Sequence, residues 1–226
     1  MILSSFNFII FSFLFINPIH ATDNGCIADL ANPPCHPAPG RCTTNSNDSH
    51  GGFVAETATV ESVIINGLKR NKPFIGLHTS ICETAHVAGN TRIDGNAQIS
   101  GTAWVFGDAR VDGNGRVDGD ARVDGNAQIT GDAQIFGDAW IDGNAQISGT
   151  AWVFGDAHIF ENAQVIGTAR VYGSVKVYGN AQIFGSARLF GNTHVYQDAK
   201  VYGDAYVGGN AKISGNDMIS TGDYGF

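Results

Sequence analysis

Positive charge is scarce in this chain: 13 Lys and Arg stand against 21 Asp and Glu in 226 residues, a formal net charge of −8. A general nucleic-acid binder needs a basic surface to displace phosphate counterions, so that class is excluded. No Lys or Arg precedes the apolar run Ile2 to Ile16, where the Met1 amine is the sole positive group. The run has about fifteen residues, short of the roughly 20 that span a bilayer. Pro18 breaks it and Ala21 stands at a cleavage edge. Residues 1–21 therefore read as a signal peptide, with a retained anchor as the other possibility. The mature chain is expected to be secreted, in a periplasmic or extracellular location, with no stable membrane span after cleavage. Cysteine is confined to Cys26, Cys35, Cys42 and Cys82. The close spacing of a zinc motif is missing, and an even count in an exported chain implies two disulfides in an oxidising compartment, with three pairings open.

Glycine, at 30 residues, is abundant and periodic. From Glu83 to Ser220 the chain divides into 23 hexads without an insertion or deletion, each close to Gly-[Asn/Asp/Thr/Ser]-Ala-x-[Ile/Val]-x. The first place is Gly in 20 of 23, the exceptions being Glu83, Glu161 and Gln197. The third is Ala in 18 and the fifth Ile or Val in 22, with Leu189 the exception. Residues two apart share one side of a strand, so Ala97 and Ile99 should point inward while Gln98 points out. The Gly-Asx pair suits a corner, because Gly tolerates positive φ and Asn or Asp visits left-handed conformations. Every hexad repeats one polarity, which excludes a hairpin meander and predicts a coil. Three sides close a coil of 18 residues, giving about 7.7 turns and roughly 37 Å of height at the ~4.8 Å strand spacing.

The hexads GNAQIS, GTAWVF, GDARVD and GNAKIS resemble the hexapeptide-repeat superfamily, and the resemblance covers residues 83–220. It implies an all-β, left-handed, triangular parallel β-helix; the handedness comes from the resemblance and not from the period. The superfamily includes acyltransferases, which typically use a His general base near a loop extruded from the helix, and the γ-class carbonic anhydrases. No loop interrupts the 23 hexads, and no close His pair in the helix could share a zinc ion.

Residues 22–82 precede the helix and are expected to form an irregular, disulfide-stapled cap; residues 221–226 form a short tail. Glu56-Thr57-Ala58-Thr59-Val60 matches Glu83-Thr84-Ala85-His86-Val87 at four of five places, 27 residues earlier. Since 27 is not a multiple of six, an insertion from about Ser62 to Cys82 interrupts the first coil. It carries Lys69, Arg70, Lys72 and His78, the most basic stretch of an acidic chain. His78 is the base that an acyltransferase would use.

Three outward columns follow from the 18-residue coil. The first face reads His86, Trp104, Arg122, Trp140, His158, Lys176, His194 and Lys212; the second carries Gln128, Gln146, Gln164 and Gln182. Indoles beside cations suit sugar rings or anionic glycans. At the sixth place Asp crowds the early coils, while Phe136, Phe154, Tyr172 and Phe190 form one later column and Phe160, Tyr178 and Tyr196 another. Asp120, Asp138 and Asp156 fall 18 apart, so a calcium ion could relieve their repulsion, although the calcium-binding nonapeptide repeat is absent. The segment GNAQISGTAWVFGDA occurs at 95–109 and again at 143–157, and the offset of 48 places Trp104 and Trp152 on different sides. No face shows the Thr columns of an ice-binding surface. These residues point to a secreted structural or interaction module, a rigid rod that presents columns to a glycan, a surface ligand or another copy, side by side or end to end. No cofactor is implied. The alternative is a hexapeptide-type acyltransferase working from the inserted loop.

Overall fold

The computed structural model of the chain describes residues 40–44, 50–61, 63–65, 68–70, 72–76 and 78–225. Residues 1–21, read above as a signal peptide, lie outside the described residues, as do Cys26 and Cys35. Within them every regular element is a strand. From Phe74 onward, short strands are dealt in turn to three sheets, each strand pairing in parallel with the third one after it. On the first face Trp104 lies between His86 and Arg122; on the second, Gln128 lies between Arg110 and Gln146; on the third, Gln134 lies between Arg116 and Trp152. From Phe74 to Ile219 the step is 18 residues throughout, which makes a parallel β-solenoid of about eight coils. The alternation expected of each hexad is present: Ala97 and Ile99 are wholly buried and Gln98 between them is exposed. Ala, Ile and Val from all three sheets form one continuous core.

The corners explain the glycines. All 20 hexad glycines have positive φ, and so do the three residues that replace glycine, Glu83 at 56°, Glu161 at 60° and Gln197 at 60°. A left-handed conformation costs a non-glycine residue about 1–2 kcal/mol. Two of the replacements recover part of this, since the Glu161 carboxylate accepts from the Gly179 N–H at 2.8 Å and the Gln197 Oε1 from the Gly215 N–H at 2.7 Å. Crowding is the second constraint. A Cβ on Gly119 would stand 2.9 Å from the Gly137 nitrogen of the next coil. Corners also bond coil to coil, as in Asn126 N–H to the Gly143 carbonyl at 2.7 Å, and their side chains continue the ladder, Asn126 donating to Asn144 at 3.1 Å and Asn144 to Asn162 at 3.0 Å.

Both ends differ from the hexad count. The parallel ladder begins at Phe53 and not at Glu83: Phe53 pairs with Ser80 and Thr59 with His86, each 27 residues on, while Phe74 pairs with Arg92 and Ser80 with Gln98 at the regular 18. Within this nine-residue excess lies an antiparallel hairpin, Val63–Ile65 against Leu68–Arg70, between the strands of the first and second faces. The insertion is therefore narrower than Ser62 to Cys82. The cap is also more regular than expected, because Gly40–Thr44 pairs antiparallel with His50–Ala55 and covers the edge of the third face. Cys42 lies on that strand. Cys82 is buried. At the other end Asp223–Tyr224 pairs with Tyr206–Val207, so the tail joins the third sheet as a last strand.

The two corner constraints can be separated. Gly215 also has positive φ, at 62°, but a Cβ there meets only Gln197 Oε1 at 3.9 Å. Gly215→Ala is expected to lose the conformational cost alone, about 1–2 kcal/mol, and Gly119→Ala clearly more. Chemical denaturation of both variants checks the order; equal losses would mean that close approach between coils contributes nothing.

Candidate functional site

Because each strand is in register with its neighbours, the fourth places of every third hexad project from one sheet as a column. On the first face Trp104 and Trp140 are 49% and 41% exposed, unusual for large apolar side chains in this chain. They lie two rungs apart with Arg122 on the rung between. With Thr102, Asp120 and Asp138 from the preceding corner they line an open cleft of about 470 Å³.

Each indole is backed by an imidazole on the side away from Arg122. The His86 and Trp104 rings have centroids 4.6 Å apart at an interplanar angle of 17°, and Trp140 and His158 have centroids 4.6 Å apart at 9°. A separation of about one rung between near-parallel rings means that the ring faces look along the solenoid axis. The free faces of the two indoles are then opposed across the Arg122 rung, about 10 Å apart. Contact distances of roughly 3.5–4.0 Å to either wall leave room for one puckered ring and not for two. The backing rings are themselves held: His158 Nε2 lies 3.3 Å from Asp142 Oδ2, and His86 Nε2 lies 3.9 Å from Glu61 Oε2.

Three arginines on the other two faces are neutralised, and the one in this cleft is not. Arg92, Arg110 and Arg116 each pair with the Asp two residues on, at 2.6, 2.8 and 2.9 Å. The Arg110 guanidinium and the Gly113 N–H hold the Asp112 carboxyl below the usual carboxylate range. Arg122 has the same sequence context, and Asp124 accepts from the Gly125 N–H just as Asp94, Asp112 and Asp118 accept from their own following glycines, yet among the described residues no carboxylate pairs with Arg122. Asp120 accepts from the Thr102 hydroxyl. Further along the face, burial and the flanking Lys176 and Lys212 lower the pKa of His194 from its ordinary 6.5.

Of the residues singled out in the sequence, Trp104, Arg122 and Trp140 thus share one cleft; His158 backs it and Lys176 follows one rung beyond His158. Asp120 and Asp138 rim the same cleft and Asp156 continues their corner, but among the described residues no three His, Cys, Asp or Glu are grouped to hold a metal. Lys69 and Arg70 fall on the hairpin strand Leu68–Arg70, with side chains outside the description. Lys72 is exposed, His78 is exposed in the turn before Ser80, and neither lines the cleft. The duplicated Trp152 sits on the third face, edge-on to Phe136 at 5.9 Å and with Arg170 5.1 Å above its ring, beside a smaller cleft of about 240 Å³ that includes Arg116 and Gln134. The aromatic corner columns stack as expected, Phe136 on Phe154 at 4.8 Å and Tyr178 on Tyr196 at 5.1 Å. Sequence reasoning counted Asp142 among the sixth-place aspartates of the early coils without its link to His158, and missed Glu61. The signal for Asp142 was present, since the sixth place of a hexad lies on the same side of the strand as the fourth.

Compared with protein families and with curated proteins, the chain matches none.

Because the fold lowers the pKa of His194, the unfolded chain takes up a proton near pH 6.5 more readily than the folded chain, and stability falls as pH drops through that value. His194→Asn is expected to lose less stability than the parent between about pH 7.5 and 5; parallel pH profiles would contradict this. Unfolding temperatures in calcium and in chelator are expected to coincide, and an upward shift with calcium would assign the Asp120, Asp138 and Asp156 column to a cation.

Proposed function

We propose that this chain is an exported, non-catalytic binding module, a rigid β-solenoid that holds a glycan ring between Trp104 and Trp140. In this proposal the solenoid takes the left-handed, triangular form of the hexapeptide-repeat superfamily that its hexads resemble, and disulfides tie the N-terminal segment in an oxidising compartment. The observation that carries the function is the opposed pair of indole faces, each backed by an imidazole, with Arg122 at the rung between.

Sugar chemistry fits the wall and the rim. The C–H face of a pyranose is apolar and packs on an indole, whose ring face carries partial negative charge. Hydroxyls at the ring edge both donate and accept. The Arg122 fork offers donors only, while Asp120 and Asp138 as carboxylates offer acceptors only, so the two types together cover a hydroxyl-bearing edge. Coils bonded to one another at every rung hold the two indoles in place before a ligand arrives, which reduces the ordering cost of binding. The acyltransferase alternative has less support. His78 is exposed in a turn, and among the described residues no hydroxyl or carboxylate bonds to its imidazole.

A glycan array on the mature protein, followed by indole fluorescence titration, tests the proposal. Trp104→Ala and Trp140→Ala are each expected to weaken binding about tenfold or more, or about 1.4 kcal/mol, while Trp152→Ala leaves it unchanged. Full affinity in both first-face variants would remove the site.

A further inference from the structure

The first face differs from the other two in how its cations are placed. On the second and third faces Arg92, Arg110 and Arg116 are each followed by an Asp at the sixth place that neutralises them. In later coils the sixth place is aromatic, so Lys176 is followed by Tyr178 and has no acidic neighbour on its own strand. Lys176 and Lys212 are exposed, and among the described residues neither pairs with a carboxylate; nor does Arg122. His194 stands between the two lysines, and burial first and then their charge lower its proton affinity.

We infer that the ligand of the Trp104–Trp140 cleft is an anionic polysaccharide lying along the solenoid axis, with its negative groups on Arg122, Lys176 and Lys212. This rests on the glycan proposal above and extends it. The three cations share one column, about 14 Å apart from Arg122 to Lys176 and about 10 Å from Lys176 to Lys212. Rungs between them carry Trp140, His158 and His194, and a sugar chain along the axis passes over the edges of the stacked Trp140 and His158 rings. No hexad is interrupted between His86 and Lys212, so nothing in the repeat crosses this track and a chain of several sugars fits as well as a terminal one. The spacing also separates this ligand from nucleic acid. Duplex DNA carries a charge about every 1.7 Å, far denser than three cations over five rungs. A polymer that dense would meet the repulsion of a chain with net charge −8. The chemistry required is a carboxylate or sulfate ester on a polymer of sugars.

The test uses the mature protein against polygalacturonate and its fully methyl-esterified form, against dextran sulfate and dextran, and against duplex DNA. The acidic member of at least one pair is expected to bind about tenfold more tightly than its neutral counterpart and to weaken with salt. The pair that shows this preference separates carboxylate from sulfate. The double variant Lys176→Gln, Lys212→Gln is expected to abolish the preference and to leave binding of the neutral polymer unchanged. Equal binding of acidic and neutral forms, an unaltered preference in the lysine variant, or tighter binding of DNA would overturn the inference. Insensitivity to Trp104→Ala would instead overturn the glycan proposal on which it rests.

Discussion

A backbone that must turn through a left-handed conformation every sixth residue, while its corner nearly touches the corner of the next coil, governs this molecule. The positive φ recurs even where glycine is replaced, at Glu83, Glu161 and Gln197, so the corner imposes the conformation and glycine is the residue that meets it at least cost. Close approach brings carbonyl and amide groups of successive corners within hydrogen-bonding distance, so the coils are joined at corners as well as along strands. From that regularity comes the strict 18-residue step, and from the step comes every neighbour relation outside.

Inside, an alanine and a branched residue alternate in each short strand and fill a narrow column completely. This leaves the second, fourth and sixth places of each hexad with no part in the core. Side chains there are free to vary, and stacking in register turns any variation into a column. The Asn ladder, the Phe and Tyr stacks and the Arg–Asp pairs are three outcomes of one geometry. The first-face cleft is a fourth, in which two indoles 36 residues apart become opposed walls.

The fold was legible because the requirement of each hexad is local: a corner, an inward pair and an outward residue can be checked six residues at a time. Its start was not legible, since the Val63–Arg70 hairpin shifts the register by nine residues and disguises Phe53 to Glu61 as a segment outside the helix. The strand Gly40–Thr44 was hidden for a different reason: it pairs antiparallel, and its sequence carries no hexad. Column arithmetic sufficed to place Trp104, Arg122 and Trp140 together. It did not show that Asp120 and Asp138, noticed as a repulsive column, rim the same cleft, because that depends on how a corner side chain leans. Nor could it tell which arginines are neutralised: Arg110 and Arg122 both precede an Asp by two residues, and only Arg110 pairs with it.

The register itself is the most direct thing to measure. Gln128 and Gln146 are paired on adjacent rungs of the second face, so their α-carbons stand about 4.8 Å apart, within the range that a disulfide bridges. Cysteines introduced as Gln128→Cys with Gln146→Cys are predicted to oxidise readily to a cross-link, located by mass spectrometry. Gln128→Cys with Gln134→Cys, only six residues apart but on adjacent faces, is predicted not to. Preferential linkage of the second pair would contradict the 18-residue coil.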